Sequence, residues 1–209
     1  MGKDFDLISL DLETSGSEST EHTILSIGCV RLSDLESFYA DVRHESLMVT
    51  PKAMQVNEID ITQVANQEGR STLSQVDKKF REWLRSDPFY KEGKHYNLIP
   101  MGMNVGTFDM EFVRPYLPKS ADLFGYRSLD LNALIFVDAV MRGCKFETVK
   151  NAAKMIGTSY AHEHVPELKP HHALYDAYSN IGVFNYLVNS EFSGQLGPVV
   201  WEGGKSYNG

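Results

Sequence analysis

Asp11 and Glu13 stand two apart at the end of the run FDLISLDLET, residues 5–14. Successive side chains of a strand point to opposite faces, so the two carboxylates share one face at the strand's C-terminal end. Two carboxylates a few ångströms apart raise each other's pKa, and a site that keeps both ionised needs a cation; oxygen donors of this kind suit Mg²⁺ or Mn²⁺. Taken alone, an acid pair on a strand is more often a loop fringe and a turn cap, so its company decides its meaning. Asp109 falls in the first turn of a helix expected after a later strand, near the positive end of the dipole, where an acid stays ionised. Asp176 sits three residues after Ala173 and one before Ala177, at the edge of the apolar stripe of the last helix, where an acid needs a partner.

The elements that must position these acids can be read from periodicity. Leu7, Ile8, Leu10 and Leu12 saturate the first strand, as expected at the centre of a sheet. Residues 22–32 and 37–42 read as second and third strands, joined by short polar turns into an antiparallel meander. A short helix is expected near 59–65, and a clearer one over 72–85, where Leu73, Val76, Phe80, Trp83 and Leu84 recur at helical spacing before Asp87-Pro88. Residues 97–103 read as a fourth strand, with Thr107 as the N-cap of a helix through Tyr116. A fifth strand over 127–131 and helices over 132–141 and 148–156 follow, the second closed by Gly157. Residues 159–170 read as a loop, and from His171 a final helix places Ala173, Ala177, Ile181, Phe184 and Val188 on one face. Together they predict an α/β fold, a mixed sheet covered by helices, with ligands at the C-terminal strand ends.

A chain of 209 residues fits one domain, expected to span 1–189, with a loosely ordered tail over 190–209. The net charge of −8 excludes a broad basic surface, so a polyanionic partner must be gripped locally through metal ions, backbone amides and a few cations. Only Cys29 and Cys144 occur, both away from the motifs, which argues against a disulfide framework and for a reducing cytoplasm. No membrane span or secretory signal is expected. His162, Glu163, His164, His171 and His172 invite a zinc reading, but neither helix-spaced H-E-x-x-H nor paired cysteines accompany them. The glycines at 102 and 106 lack the Lys and Ser/Thr of a phosphate loop. Phe108, Phe112 and Tyr160 could stack on bases, although Phe108 and Phe112 at helical spacing fit a core equally well.

Three motifs in this order resemble those of the DEDDh exonucleases: Asp11-Leu12-Glu13-Thr14, the stretch NVGTFD from Asn104 to Asp109 with Phe112, and HHALYDA from His171 to Ala177. The resemblance covers residues 5–187 and implies a ribonuclease H-like mixed five-stranded sheet flanked by helices. It implies that Asp11, Glu13, Asp109 and Asp176 hold two divalent ions, Mg²⁺ or Mn²⁺, and that His171 is the general base. Thr14 would help hold the terminal nucleotide, with Leu12, Asn104 and Phe108 beside it. The second motif is one residue longer than the N-x-x-F-D pattern, and the doubled His171-His172 leaves a register choice that spacing settles for His171, with His172 on the surface or the substrate rim.

The expected activity is therefore metal-dependent 3′→5′ hydrolysis of single-stranded RNA or DNA with a free 3′ end, releasing nucleoside 5′-monophosphates. The alternatives are a proofreading subunit of a DNA polymerase and a non-catalytic nucleic-acid-binding module on the same fold. The intact set of five residues argues against the second, and no amphipathic partner-binding segment in 190–209 supports the first. The choice between RNA and DNA, the protein partners and the oligomeric state are not legible in these residues.

Overall fold

Residues 6–14 form the middle strand of the sheet in the computed structural model, which describes residues 4–57, 69–94 and 97–190. This strand, β1 (Asp6–Thr14), buries every residue except the half-buried Asp11. β2 (Ile24–Arg31) and β3 (Ser37–Asp41) fold back beside it as an antiparallel meander. β4 (Leu98–Gly102) and β5 (Leu129–Asp130) continue the sheet in parallel on the other side, giving the order β3-β2-β1-β4-β5. The mixed five-stranded sheet of the sequence reading is thus the fold observed.

The helices are α1 (Pro51–Asn57), α2 (Leu73–Arg85), α3 (Asp109–Tyr116), the single turn α4 (Pro118–Ala121), α5 (Leu131–Arg142), α6 (Phe146–His164) and α7 (Ala173–Ser190). Alternation along β1 divides the core between them. Ile8, Leu10 and Leu12 pack with Phe80, Phe112 and Phe124, from α2, α3 and the segment after α4, whereas Leu7 packs with Ile135, Tyr175 and Ile181 from α5 and α7. Asp11 and Glu13 continue the Leu7 side and so point toward α7. The same alternation that fills two cores aims both acids at one helix.

Several expectations at element ends change. Thr107 is not an N-cap: it lies in a turn closed on the Asn104 carbonyl, which accepts from the Thr107 and Phe108 amides at 3.0 and 2.9 Å and from the Thr107 hydroxyl at 3.3 Å. α3 therefore starts at Asp109, and Phe108 in the cap position supplies no side-chain bond. Gly157 does not end a helix. α6 runs on to His164, through the first part of the expected loop, and Gly157 serves packing, since a Cβ there would lie 2.7 Å from the Ser179 carbonyl of α7. The fifth strand shrinks to two residues because Asp130 already caps α5, its carboxylate accepting from the Asn132 amide at 2.9 Å. The helix expected near 59–65 and the tail over 191–209 lie outside the described residues. Among the described residues, no helix is long and apolar enough to cross a membrane.

Candidate active site

β1 outlasts β4, whose parallel pairing ends at Ser9↔Met101. Beyond that point the Leu12 amide has lost its strand partner, and it donates instead to Asp109 Oδ1 at 3.1 Å. This bond fastens the N-terminus of α3 to the end of β1 and places the Asp109 carboxylate beside the two acids of that strand.

The third element arrives from the other face. Gly28 of β2 stands opposite Asp11, and a Cβ at that position would lie 2.2 Å from the Ala173 carbonyl carbon and 2.3 Å from the Leu174 amide nitrogen. Only glycine lets the first turn of α7 rest on the sheet here. Ser9 Oγ holds it there, donating to the Ala177 carbonyl at 2.6 Å. As a result Asp176 meets the strand acids: Asp11, Glu13 and Asp176 each offer a carboxylate oxygen within 4.8 Å of the others, and among the described residues they form the group able to hold a metal ion.

Packing four acids together has an electrostatic cost. Burial, then the charges of Asp109, Asp176 and Glu13, push the Asp11 carboxyl well above the usual range. Glu13 is pushed up to about 9 by burial and by Asp176 and Asp109. Asp109 rises to about 8 through burial, against the lowering effect of its own amide and that of Leu12. Asp176 rises through burial, partly offset by the His171 amide and the positive charges of His171 and Lys154. A divalent cation reverses this balance by favouring the ionised form of every one. The donors are all carboxylate oxygens, which fits a hard cation; among the described residues no sulfur or imidazole joins the cluster.

His171 occupies the corner before α7 with φ +65, an exposed residue whose backbone amide donates to Asp176 Oδ2 at 3.0 Å. It lies in the turn two residues before α7 begins, outside the helix that carries Asp176. His172 departs from the surface or rim position of the sequence reading: it is half-buried, stacked on Tyr39 with ring centroids 4.5 Å apart, and burial lowers its pKa. The adjacent His enters the sheet edge because the left-handed turn at His171 reverses the chain there.

The residues expected near the terminal nucleotide are more dispersed. Leu12 is buried, and Thr14 is buried with its hydroxyl donating to the Gly16 carbonyl at 2.8 Å. Asn104 is exposed with φ +57, its amide donating to Asp130 Oδ1 at 3.1 Å and its side-chain oxygen accepting from Asn132 Nδ2 at 2.8 Å. Phe108 is half-buried against Phe112 at 5.4 Å, and Phe112 is core. Of the histidines suspected of binding zinc, His164 stacks between Tyr160 and Tyr178 on α6 and α7. Cys29, read as remote from the motifs, lies on β2 opposite Leu10, and after burial the Asp109 and Asp11 charges raise its thiol pKa. Gly28 and Ser9 belong to none of the three sequence motifs, yet both seat α7 on the sheet. A glycine inside the apolar run ILSIGCV was the available signal for the first; nothing marked the second.

The model of the 3'-5' exoribonuclease Rv2179c-like domain matches residues 6–188. The chain belongs to this family. Over 134 residues it is 29% identical to the 3'-5' DNA exonuclease Cap18 of Escherichia coli, covering 62% of this chain and 67% of that protein. Among solved structures it resembles exonuclease I from Methylocaldum szegediense, with a TM-score of 0.62 at 16% identity over 90% of this chain. It also resembles E. coli exonuclease I in complex with a dA16 oligonucleotide, with a TM-score of 0.58 at 16% identity over 89% of this chain. The chain spans 41% of each of those two exonucleases, and at that identity the likeness shows the shared ribonuclease H-like fold. Membership in a 3'-5' exonuclease family implies divalent metal ions, and the acidic cluster offers the donor set for them.

Proposed function

We propose that this chain is a metal-dependent 3′→5′ exonuclease that trims single-stranded RNA or DNA from a free 3′ end, releasing nucleoside 5′-monophosphates. The observation that carries the reading is the convergence of Asp11, Glu13 and Asp176 within 4.8 Å on the sheet face beside His171. In this reading Asp11, Glu13, Asp109 and Asp176 hold two divalent ions, Mg²⁺ or Mn²⁺. Bound there, the ions supply charge neutralisation at the scissile phosphate and at the departing 3′ oxygen.

The chain's own residues do the rest. The exposed His171 ring takes the proton of the attacking water, the role suited to an imidazole near neutral pH. Its backbone amide meanwhile fixes the Asp176 carboxylate, so base and metal-binding acid keep one geometry. Thr14, Leu12, Asn104 and Phe108 border the terminal nucleotide in this assignment. The domain that carries the activity spans residues 1–189, and two cysteines without a disulfide fit a reducing cytoplasm.

The test is a time course on matched 5′-labelled RNA and DNA oligomers with Mg²⁺, Mn²⁺ or EDTA. The expected result is a ladder shortening from the 3′ end, mononucleotide 5′-phosphate as product, and silence in EDTA. Undiminished cleavage in EDTA, trimming from the 5′ end, or no cleavage of either polymer would overturn the proposal. The family is described by ribonuclease activity and the relative Cap18 by DNA activity, so both polymers belong in the assay.

A further inference from the structure

The base proposed above stands on a backbone that needs outside support. His171 is one of three non-glycine residues with positive φ among those described, a conformation that a side chain with a Cβ adopts only when its surroundings hold it there. Its own ring is exposed and provides no such hold. The neighbouring residue does: the His172 amide donates to the Lys169 carbonyl at 3.2 Å, its carbonyl accepts from the Asp176 amide at 3.0 Å, and its ring stacks on Tyr39 of β3. His172 Nδ1 is buried without a hydrogen-bond partner, so that atom does not seat the ring, whereas its face rests on Tyr39.

Tyr39 is in turn fixed from behind. Its hydroxyl donates to Asp41 Oδ1 at 3.0 Å, and Asp41 is paired with Arg70 at 3.5 Å. β3 is an edge strand of the sheet, remote in sequence from the motifs, yet it pairs through β2 with the strand that carries Asp11 and Glu13. The β3 backbone thus carries the Tyr39 ring to the corner before α7, with the hydroxyl bond as a secondary hold.

We infer that Tyr39 and His172 are positioning residues: their stacked rings clamp the 171–172 corner, holding the His171 amide on Asp176 and with it the backbone from which the His171 imidazole projects. This inference rests on the exonuclease reading for its kinetic consequence but not for its structural one. His172 then acts through its shape and flatness, not through proton transfer, which separates it from His171.

The experiment uses Tyr39→Phe, Tyr39→Val, His172→Phe and His172→Ala in the full chain. Two readouts are taken: single-turnover cleavage of a labelled single-stranded oligomer at saturating Mg²⁺, and amide hydrogen exchange at His171 in the metal-free protein. Tyr39→Phe and His172→Phe keep both rings and should cleave within about twofold of wild type, whereas Tyr39→Val and His172→Ala should slow the chemical step by tenfold or more, the scale of an ångström-sized misplacement. The Mg²⁺ concentration for half-maximal rate should stay put in all four, and the His171 amide should exchange faster only in the two variants that lose a ring.

Valine keeps β3 in strand-forming sequence, so an unchanged melting temperature beside a slowed rate separates positioning from unfolding. A His172→Phe variant as slow as His172→Ala would overturn the inference by showing that the imidazole itself is needed. Wild-type rates in Tyr39→Val would overturn it too. If the wild type cleaves nothing, the exonuclease reading fails while the exchange of the His171 amide still decides the clamp.

Discussion

Gly28→Ala adds one carbon to a residue that touches no substrate, and the structure sets the size of its effect. The new Cβ would lie 2.2 Å from the Ala173 carbonyl carbon, and reaching the 3.4 Å at which ordinary contact begins requires a retreat of about 1.2 Å. The obstructing atoms are backbone at the start of α7, so no side-chain rotation relieves the clash. Either the helix lifts from the sheet or β2 bends away, and both carry Asp176 from Asp11, the residue opposite Gly28. Overpacking of this kind costs about 1–3 kcal/mol of stability, and a 1 Å displacement of a reacting group costs on the order of 10²-fold in rate.

The expected phenotype is therefore a folded protein with a modestly lowered melting temperature, a weaker response to Mg²⁺ and a single-turnover rate lowered about 10²-fold. The assay pairs a Mg²⁺ titration of single-turnover cleavage with thermal unfolding in EDTA. Ser9→Ala serves as comparison: it removes the 2.6 Å hydroxyl bond to Ala177 without forcing α7 away, and should cause a smaller loss. Wild-type rate and metal response in Gly28→Ala would refute the claim that close approach of α7 assembles the acids.

Asp11→Ala, Glu13→Ala, Asp109→Ala and Asp176→Ala should each abolish turnover; in EDTA the first two should leave or raise the melting temperature, since a buried acid is gone, whereas Asp109→Ala and Asp176→Ala should lower it by removing the acceptors of the Leu12 and His171 amides. Near-normal cleavage in any one would remove that residue from the site. His171→Ala should slow single-turnover cleavage on the order of 10²-fold, with the half-saturating Mg²⁺ concentration unchanged. Glu13 and Asp109 carry folded pKa values of about 9 and about 8 against ordinary values of 4.5 and 3.8, so the folded metal-free chain holds protons that the unfolded chain has released. Its melting temperature in EDTA should fall as pH rises from about 4 to about 9, and saturating Mg²⁺ should suppress that fall; a metal-free curve that rises over this interval would contradict it.

The central strand, the meander and the helix over 72–85 were legible because each follows one strong local rule: apolar saturation, alternation, or helical recurrence of Leu73, Val76, Phe80 and Leu84. The carboxylate pair was legible for the same reason, since alternation alone puts Asp11 and Glu13 on one face. What escaped depends on contacts between elements. Gly157 carries the local signal of a helix stop, yet it lies where α6 meets α7, and the contact with Ser179 decides its meaning. Thr107 has the chemistry of a cap, but the longer second motif turns back on Asn104 and takes its hydroxyl. His172 reads as a polar surface residue until β3 places Tyr39 against its ring.

Two of the four acids occupy backbone positions whose local bonds would be useful without any metal. Asp109 satisfies the Leu12 amide, and Asp176 satisfies that of His171; both are donors that the end of a strand and the start of a helix leave open. Those bonds hold each carboxylate by one oxygen, and Asp176 also offers an oxygen to the cluster with Asp11 and Glu13. Asp11 and Glu13 have no comparable bond to lower their pKa, and desolvation and neighbouring charge dominate both. The geometry is therefore supported by backbone hydrogen bonds on α3 and α7, while the β1 acids carry their unfavourable charge without such support. A strand at the centre of a five-stranded sheet is the element best able to bear that strain, because its neighbours on both sides and two cores fix it independently of the acids at its end. The metal-free protein should accordingly keep its fold and lose only the ionisation of its site, so that Mg²⁺ binding releases protons from the β1 acids and from Asp109 of α3.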